Sequence, residues 1–220
     1  KRLDEEYGKV TSQLAQIAIN VKNFGAIGDG QTDDTQAIQS AVDHVVALGG
    51  GRVYLPPGVY RVSNTIELDS NIEFFGAGAK LTTLFPDFLG QDVFQNIIRI
   101  SGTSDERKEN VTLHNFGIDG SNVELHETED RGLDPGQWAR IQPRYVDNFK
   151  AYDMYYYHGS HLFHMHGCRN FTIERVTADY SFSVVHMVST QGENVGGVIN
   201  NITGTRMACM VDFGGGGQDV

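Results

Sequence analysis

The sequence predicts an all-β solenoid, a parallel β-helix reached through one short α-helix and preceded by a heptad segment. Three observations carry this. A block that begins Asn-apolar recurs as NVTLHNFGIDGS from Asn110, NFKAYDMYYYHG from Asn148, NFTIERVTADYS from Asn170 and NVGGVINNITGT from Asn194, at steps of 38, 22 and 24 residues. A second column, His164-Met165, His186-Met187 and Cys209-Met210, steps by 22 and 23 residues. Glycine supplies 26 of the 220 residues, as a turn-rich chain requires. A period of about 20–50 residues marks a stack in which each coil buries its apolar strip only against its neighbours. The step of 38 reads as one coil plus an insertion of about 16 residues. Asn71, in NIEF, extends the Asn column toward the N-terminus.

From the start of the chain, residues 1–19 carry Leu3, Tyr7, Val10, Leu14 and Ile17 at spacings of 4, 3, 4 and 3. That is an a/d seam, which either drives self-association or lies on the body of the same chain. Residues 20–78 read as an N-terminal capping module and residues 79–220 as the coils. Within the module, NVKNFGAIGDG brings three glycines after an apolar start. QTDDTQAIQSAVDHVVALGGG then reads as a helix, with Asp33 as N-cap and Asp34 adding negative charge to the first turn. Ala37, Ile38, Ala41, Val42 and Val45 keep helical spacing, and Gly49 to Gly51 end it. RVYLPPGVYRV reads as two strands around Pro56-Pro57-Gly58. The glycines at 25, 28 and 30 do not make a dinucleotide loop: the G-x-G-x-x-G order is reversed, and Asp29, Asp33 and Asp34 would repel phosphate.

In the coils, strand alternation puts Phe163 and Met165 on one face and His164 and His166 on the other. Met165, Met187 and Met210 are therefore expected as an interior ladder. His164, His186 and Cys209 are expected as an outward row at about 4.8 Å spacing. The Asn column is expected to be structural, its amides stacked at a bend.

Composition narrows the partners. Acidic residues outnumber basic ones 28 to 17, for a net charge of −11. Without clustered Lys and Arg this excludes generic binding to nucleic acid or to an anionic membrane surface. No apolar run reaches the roughly 18 residues of a membrane span. Two cysteines, Cys168 and Cys209, do not form a disulfide framework.

The run FGAIGDGQTDDTQAIQSAV, followed by GGGRVYLPPGVY, closely resembles the start of the pectate-lyase-superfamily β-helix domain. That domain occurs in phage tailspikes and appendages, secreted polysaccharide lyases, glycosidases and mannuronan epimerases. The resemblance covers roughly residues 20–78. It implies a right-handed helix of coils and a capping, non-catalytic role for this module. A heptad segment joined to such a domain resembles phage tailspike and pre-neck appendage proteins. That likeness implies a homotrimer in the virion that binds or cleaves a cell-surface polysaccharide or wall glycopolymer. A secreted lyase or epimerase and a non-enzymatic glycan-binding adhesin are the alternatives. About four coils precede Val220 with no capping element, so the solenoid is expected to continue beyond it.

The chemistry is expected near YVDNFKAYDMYYYHGSHLFHMH, residues 145–166, which holds four histidines. His161, His164, His166 and His186 are the candidate catalytic residues. Trp138, Arg140, Arg144, Tyr155, Tyr157 and Arg169 are the candidate substrate contacts, since sugars present apolar faces and hydroxyl rims. Three readings stay open: proton abstraction from a uronate, hydrolysis by paired carboxylates, and binding alone. Asp153, Asp179 and Asp212 are available, but none makes a diagnostic pair by spacing. Mannuronan epimerases and some related lyases carry a D-P-H type element on an early coil. Phe163–His166 reads F-H-M-H at the comparable place, so His166 matches the family His and His164 stands where Asp is expected. No cofactor is expected. Zinc on His164, His166 and His186, or calcium on the acidic loop ELHETEDRGLD, are the metal alternatives.

Overall fold

A computed structural model describes residues 17–87, 96–122, 126–128, 132–134, 140–188, 192–207 and 209–214. Its parallel strands stack into a coil with three faces. The first face runs from Ala18–Asn20 through Gly51–Leu55, Ile72–Gly76 and Thr112–His114 to the openings of Lys150–His166 and Thr172–Val188. The second carries Asp29–Asp33, Gly58–Val62, Thr82–Pro86 and Gly117–Asp119. The third carries Ile66–Leu68, Asn96–Ser101, Arg140–Arg144 and Val211–Gly214, with the far ends of the two long strands between the last two.

Each face contributes inward ladders of buried side chains. Val53, Phe74, Leu113, Ala151 and Ile173 are in register on the first. Tyr60, Leu84, Ile118, Tyr156 and Ala178 follow on the second. Ile66, Ile98, Ile141, Phe163 and Val185 follow on the third. All fifteen are fully buried. Sizes are matched locally, as where the large Tyr156 stands beside the small Ala178.

The corners are built from left-handed residues. Asn71, Asn110, Asn148 and Asn170 have φ of 62°, 57°, 58° and 53° and lie in one register column. Asn110 Nδ2 donates to Asn71 Oδ1 at 2.9 Å, and Asn148 Nδ2 to Asn110 Oδ1 at 3.0 Å. Asn tolerates positive φ and its amide satisfies the next coil, so both properties select it here. The expected fifth member, Asn194, is displaced: Thr172 pairs with Val198, so Gly196 (φ 68°) takes the corner. Asn194 lies two residues earlier, where its Oδ1 accepts from Cys168 N at 2.9 Å and its Nδ2 donates to Met165 O at 3.3 Å.

The methionine ladder also needs correction. Met165 is fully buried and Met187 partly so, but Met210 is 53% exposed. Val185 pairs with Val211, so the residue in register with Met187 is Phe213 and the one with His186 is Asp212, not Cys209. The turn before the last strand is longer by three residues than the look-alike pairs His-Met and Cys-Met suggest.

At the N-terminal end, the helix Thr35–Ala47 lays Ile38, Ala41, Val42 and Val45 on the core. The N-cap position falls on Asp34 rather than Asp33, and Asp34 makes no side-chain cap bond to the helix. Asp33 Oδ1 accepts from Thr35 N at 3.1 Å, while the buried Asp34 turns back to accept from Ile27 N and Gly28 N at 2.6 and 3.0 Å. Gly28 (φ 72°) is pressed against the Tyr60 ring, 3.0 Å from where a Cβ would sit, which explains the glycine in this loop. The strands on either side of Pro56-Pro57 form as expected. Of the heptad positions, Leu3, Tyr7, Val10 and Leu14 lie outside the described residues, and Ile17 is 60% exposed.

Candidate active site

The third face presents an outward column. Register pairs Glu67 with Arg99, Arg99 with Gln142, His164 with His186 and His186 with Asp212, and Arg144 with His166 beside it. A local irregularity brings in one more ring. Leu162 and Phe163 are both fully buried, as are Val184 and Val185 in the next coil and Ile97 and Ile98 in an earlier one. Two successive inward residues break the alternation, so His161 reaches the same side as His164. The His161 ring lies 6.3 Å from that of His164 and 4.4 Å from that of His186. His164 lies 4.5 Å from His166 and 4.9 Å from His186.

Polar partners orient the cluster. His186 Nδ1 donates to Asp212 Oδ2 at 2.6 Å. His161 Nδ1 and Ser183 Oγ are 2.7 Å apart. Arg140 Nε donates to Asn96 Oδ1 at 2.7 Å, and Asn96 Nδ2 donates to Gln142 Oε1 at 3.1 Å. The histidines face away from Met165 as expected, yet they are covered: His161, His164 and His166 are 6%, 9% and 4% exposed. Burial therefore holds their pKa values down, to about 3, 2 and 4, and the neighbouring cations Arg140 and Arg144 add to the effect for His164 and His166. For His161, His186 adds further. Burial also lowers Arg140, to about 9. At neutral pH these three imidazoles are uncharged.

This sets an acid limit on stability. The unfolded imidazoles bind protons below about pH 6.5. The folded ones do so only below about 4, 3 and 2. The unfolded state thus holds more protons across that window, and stability present above pH 6.5 is lost as pH falls. Denaturant unfolding at pH 6.5 and 5 should show a loss of at least about 1.5 kcal/mol, one imidazole's share when the unfolded ring is half protonated at the start of the window. His164→Gln should flatten that slope; an unchanged slope would place the coupling elsewhere.

The other expected contacts divide. Arg140 and Arg144 join the histidines. Tyr155 and Tyr157 do not: they line a separate cavity of ≈ 360 Å³ on the second face with Lys80, Thr83, Ile118 and Asp119. There Lys80 Nζ sits 4.4 Å over the Tyr155 ring, and Tyr155 Oη donates to Asp179 Oδ2 at 3.1 Å. Arg169 is at the corner before the first face, bridged to Asp147 and Val195. One groove holding all these residues is therefore not what the coil builds, because residues a few positions apart turn onto different faces. Trp138 lies outside the described residues. Three partners in the site were not expected, Asn96, Gln142 and Ser183, and Asp212, named only as an available carboxylate, pairs with His186. The signal for Asp212 was V-D-F at 211–213, which matches V-H-M at 185–187 once the valines are aligned.

A family model described as rhamnogalacturonase A/epimerase, pectate lyase-like, matches residues 18–214. The chain belongs to this family. Mannuronan C5-epimerase AlgE2 of Azotobacter vinelandii is 43% identical over 110 residues, 46% of this chain and 11% of the epimerase. The pre-neck appendage protein of Bacillus phage B103 is 35% identical over 116 residues, 51% of this chain and 12% of the phage protein. The chain thus spans about a tenth of the length of each of these relatives. Among solved structures, the A-module of the A. vinelandii epimerase AlgE4 superposes with a TM-score of 0.58 at 24% identity, over 88% of this chain and 55% of the module, a likeness of fold.

Proposed function

We propose that this pectate-lyase-like chain is the glycan-engaging part of a trimeric phage appendage, and that it abstracts the proton beside the carboxylate of a uronate in a cell-surface polysaccharide. The observation that carries this is the His186–Asp212 hydrogen bond, set beside neutral imidazoles and two arginines. Asp212 accepts from Nδ1, so His186 Nε2 keeps its lone pair for the substrate proton, and the carboxylate stabilises the imidazolium that forms. Arg140, held by Asn96, and Arg144 are the cations for the developing carboxylate-centred anion. With a net charge of −11, attraction of an anionic polymer has to be local, and these two residues supply it. His164 and His166 form the polar wall beside the base. Asp212, already bonded to an imidazole, serves the base rather than a carboxylate pair, which favours proton abstraction over glycoside hydrolysis. The epimerase and phage relatives support the substrate class and the setting.

The test is incubation of the full-length protein with polyuronates and with host wall polymers in deuterium oxide. Unsaturated uronate, or deuterium at the carbon bearing the carboxylate, is expected. Reducing ends with neither mark would indicate hydrolysis instead, and binding with no product would indicate an adhesin. Sedimentation of the parent and of Leu14→Asp checks the trimer: the parent should run as three chains and the variant as one.

A further inference from the structure

We propose that His161, His186 and Asp212 together form a binding site for a divalent transition-metal ion, and that filling it silences the face. Each side chain offers one donor atom, and the three donors all lie within 4.8 Å of one another. They come from successive coils, with Ser183 in register with His161 and Asp212 in register with His186. Convergence depends on the paired inward residues Leu162 and Phe163, without which His161 would alternate to the opposite side.

The donor set selects the ion class. Two imidazoles and one carboxylate suit zinc and its neighbours, as in catalytic zinc sites and two-His, one-carboxylate centres. Calcium asks for about six to eight oxygens, which this trio does not offer. An outer partner is also in place: the Ser183 hydroxyl, 2.7 Å from His161 Nδ1, orients that ring and leaves its Nε2 for the ion. Asp212 brings the negative charge that offsets the cation of Arg140 nearby. The trio overlaps only in part with the sequence-based zinc alternative, since His164 and His166 are not among the three.

The silencing half rests on the reading of His186 as the base, because an ion shared by His186 and Asp212 replaces the Nδ1 proton and ties up the carboxylate that would stabilise the imidazolium. The two halves are tested separately on the full chain. Zinc is titrated calorimetrically, and cobalt(II) is followed by its visible absorption. One ion per chain is expected, with His161→Gln and Asp212→Asn each weakening binding by at least the roughly ten- to hundred-fold that loss of an outer partner costs. His158→Gln should bind like the parent, since that ring lies against Gly120 and Tyr180. Far-UV circular dichroism confirms that each variant is folded. No saturable binding by the parent, or equal binding by His161→Gln and Asp212→Asn, overturns the site. Turnover should fall in step with zinc occupancy and return with chelator. Full turnover at saturating zinc would uphold the site and overturn His186 as the base.

Discussion

His186→Ala is expected to lower turnover about 10²- to 10⁴-fold, the range removed with a positioned general base. The His186 and Asp212 side chains are 17% and 33% exposed, so losing their hydrogen bond should cost the fold little. The thermal midpoint should stay close to that of the parent, and the loss should appear in kcat rather than KM. Asp212→Asn is the discriminating partner. It keeps the shape but offers no charge to the imidazolium, so it should lower kcat as well, by less than His186→Ala. Normal turnover in both variants would remove the third face from the chemistry and turn attention to the tyrosine-lined cavity on the second.

Phe163→Ala is expected to cost about 3–5 kcal/mol of folding stability, the usual range for a buried Phe reduced to Ala. Phe163 is fully buried, packs edge-on against Phe149 at 5.9 Å, and stands between Ile141 and Val185 in the third-face ladder. A domain holds roughly 5–15 kcal/mol in all, so this is a large fraction. Because His164 follows directly, the cavity should also loosen the imidazoles, and the acid sensitivity should weaken with it. Chemical denaturation at pH 7 and 5 reads both effects. A loss below about 1 kcal/mol would mean that the ladder collapses around the gap.

The solenoid was legible because its columns repeat. Asn110, Asn148 and Asn170 mark a corner whose backbone requirement recurs on every coil, so identity and spacing report the same constraint. The helix and the strands around Pro56-Pro57 were legible from local punctuation. Legibility failed where the repeat changed length. Gly196 satisfies the same φ as asparagine without resembling it, and the longer last turn hid Asp212 behind Cys209. Strict alternation also hid why His161 joins His164, since period two cannot anticipate two inward residues in succession. The division of Tyr155 and Tyr157 from the histidines is a matter of which corner lies between them: His158, with φ of 53°, turns the chain from the second face to the third.

The corner residues also separate two properties that most folds tie together. Successive Asn corners are 39, 38 and 22 residues apart, yet the strands they introduce stay in register. Loop length is thus free to vary between corners while the lattice of strands remains indifferent to it. Such a scaffold can exchange whole loops above a fixed face without any change in the core beneath it.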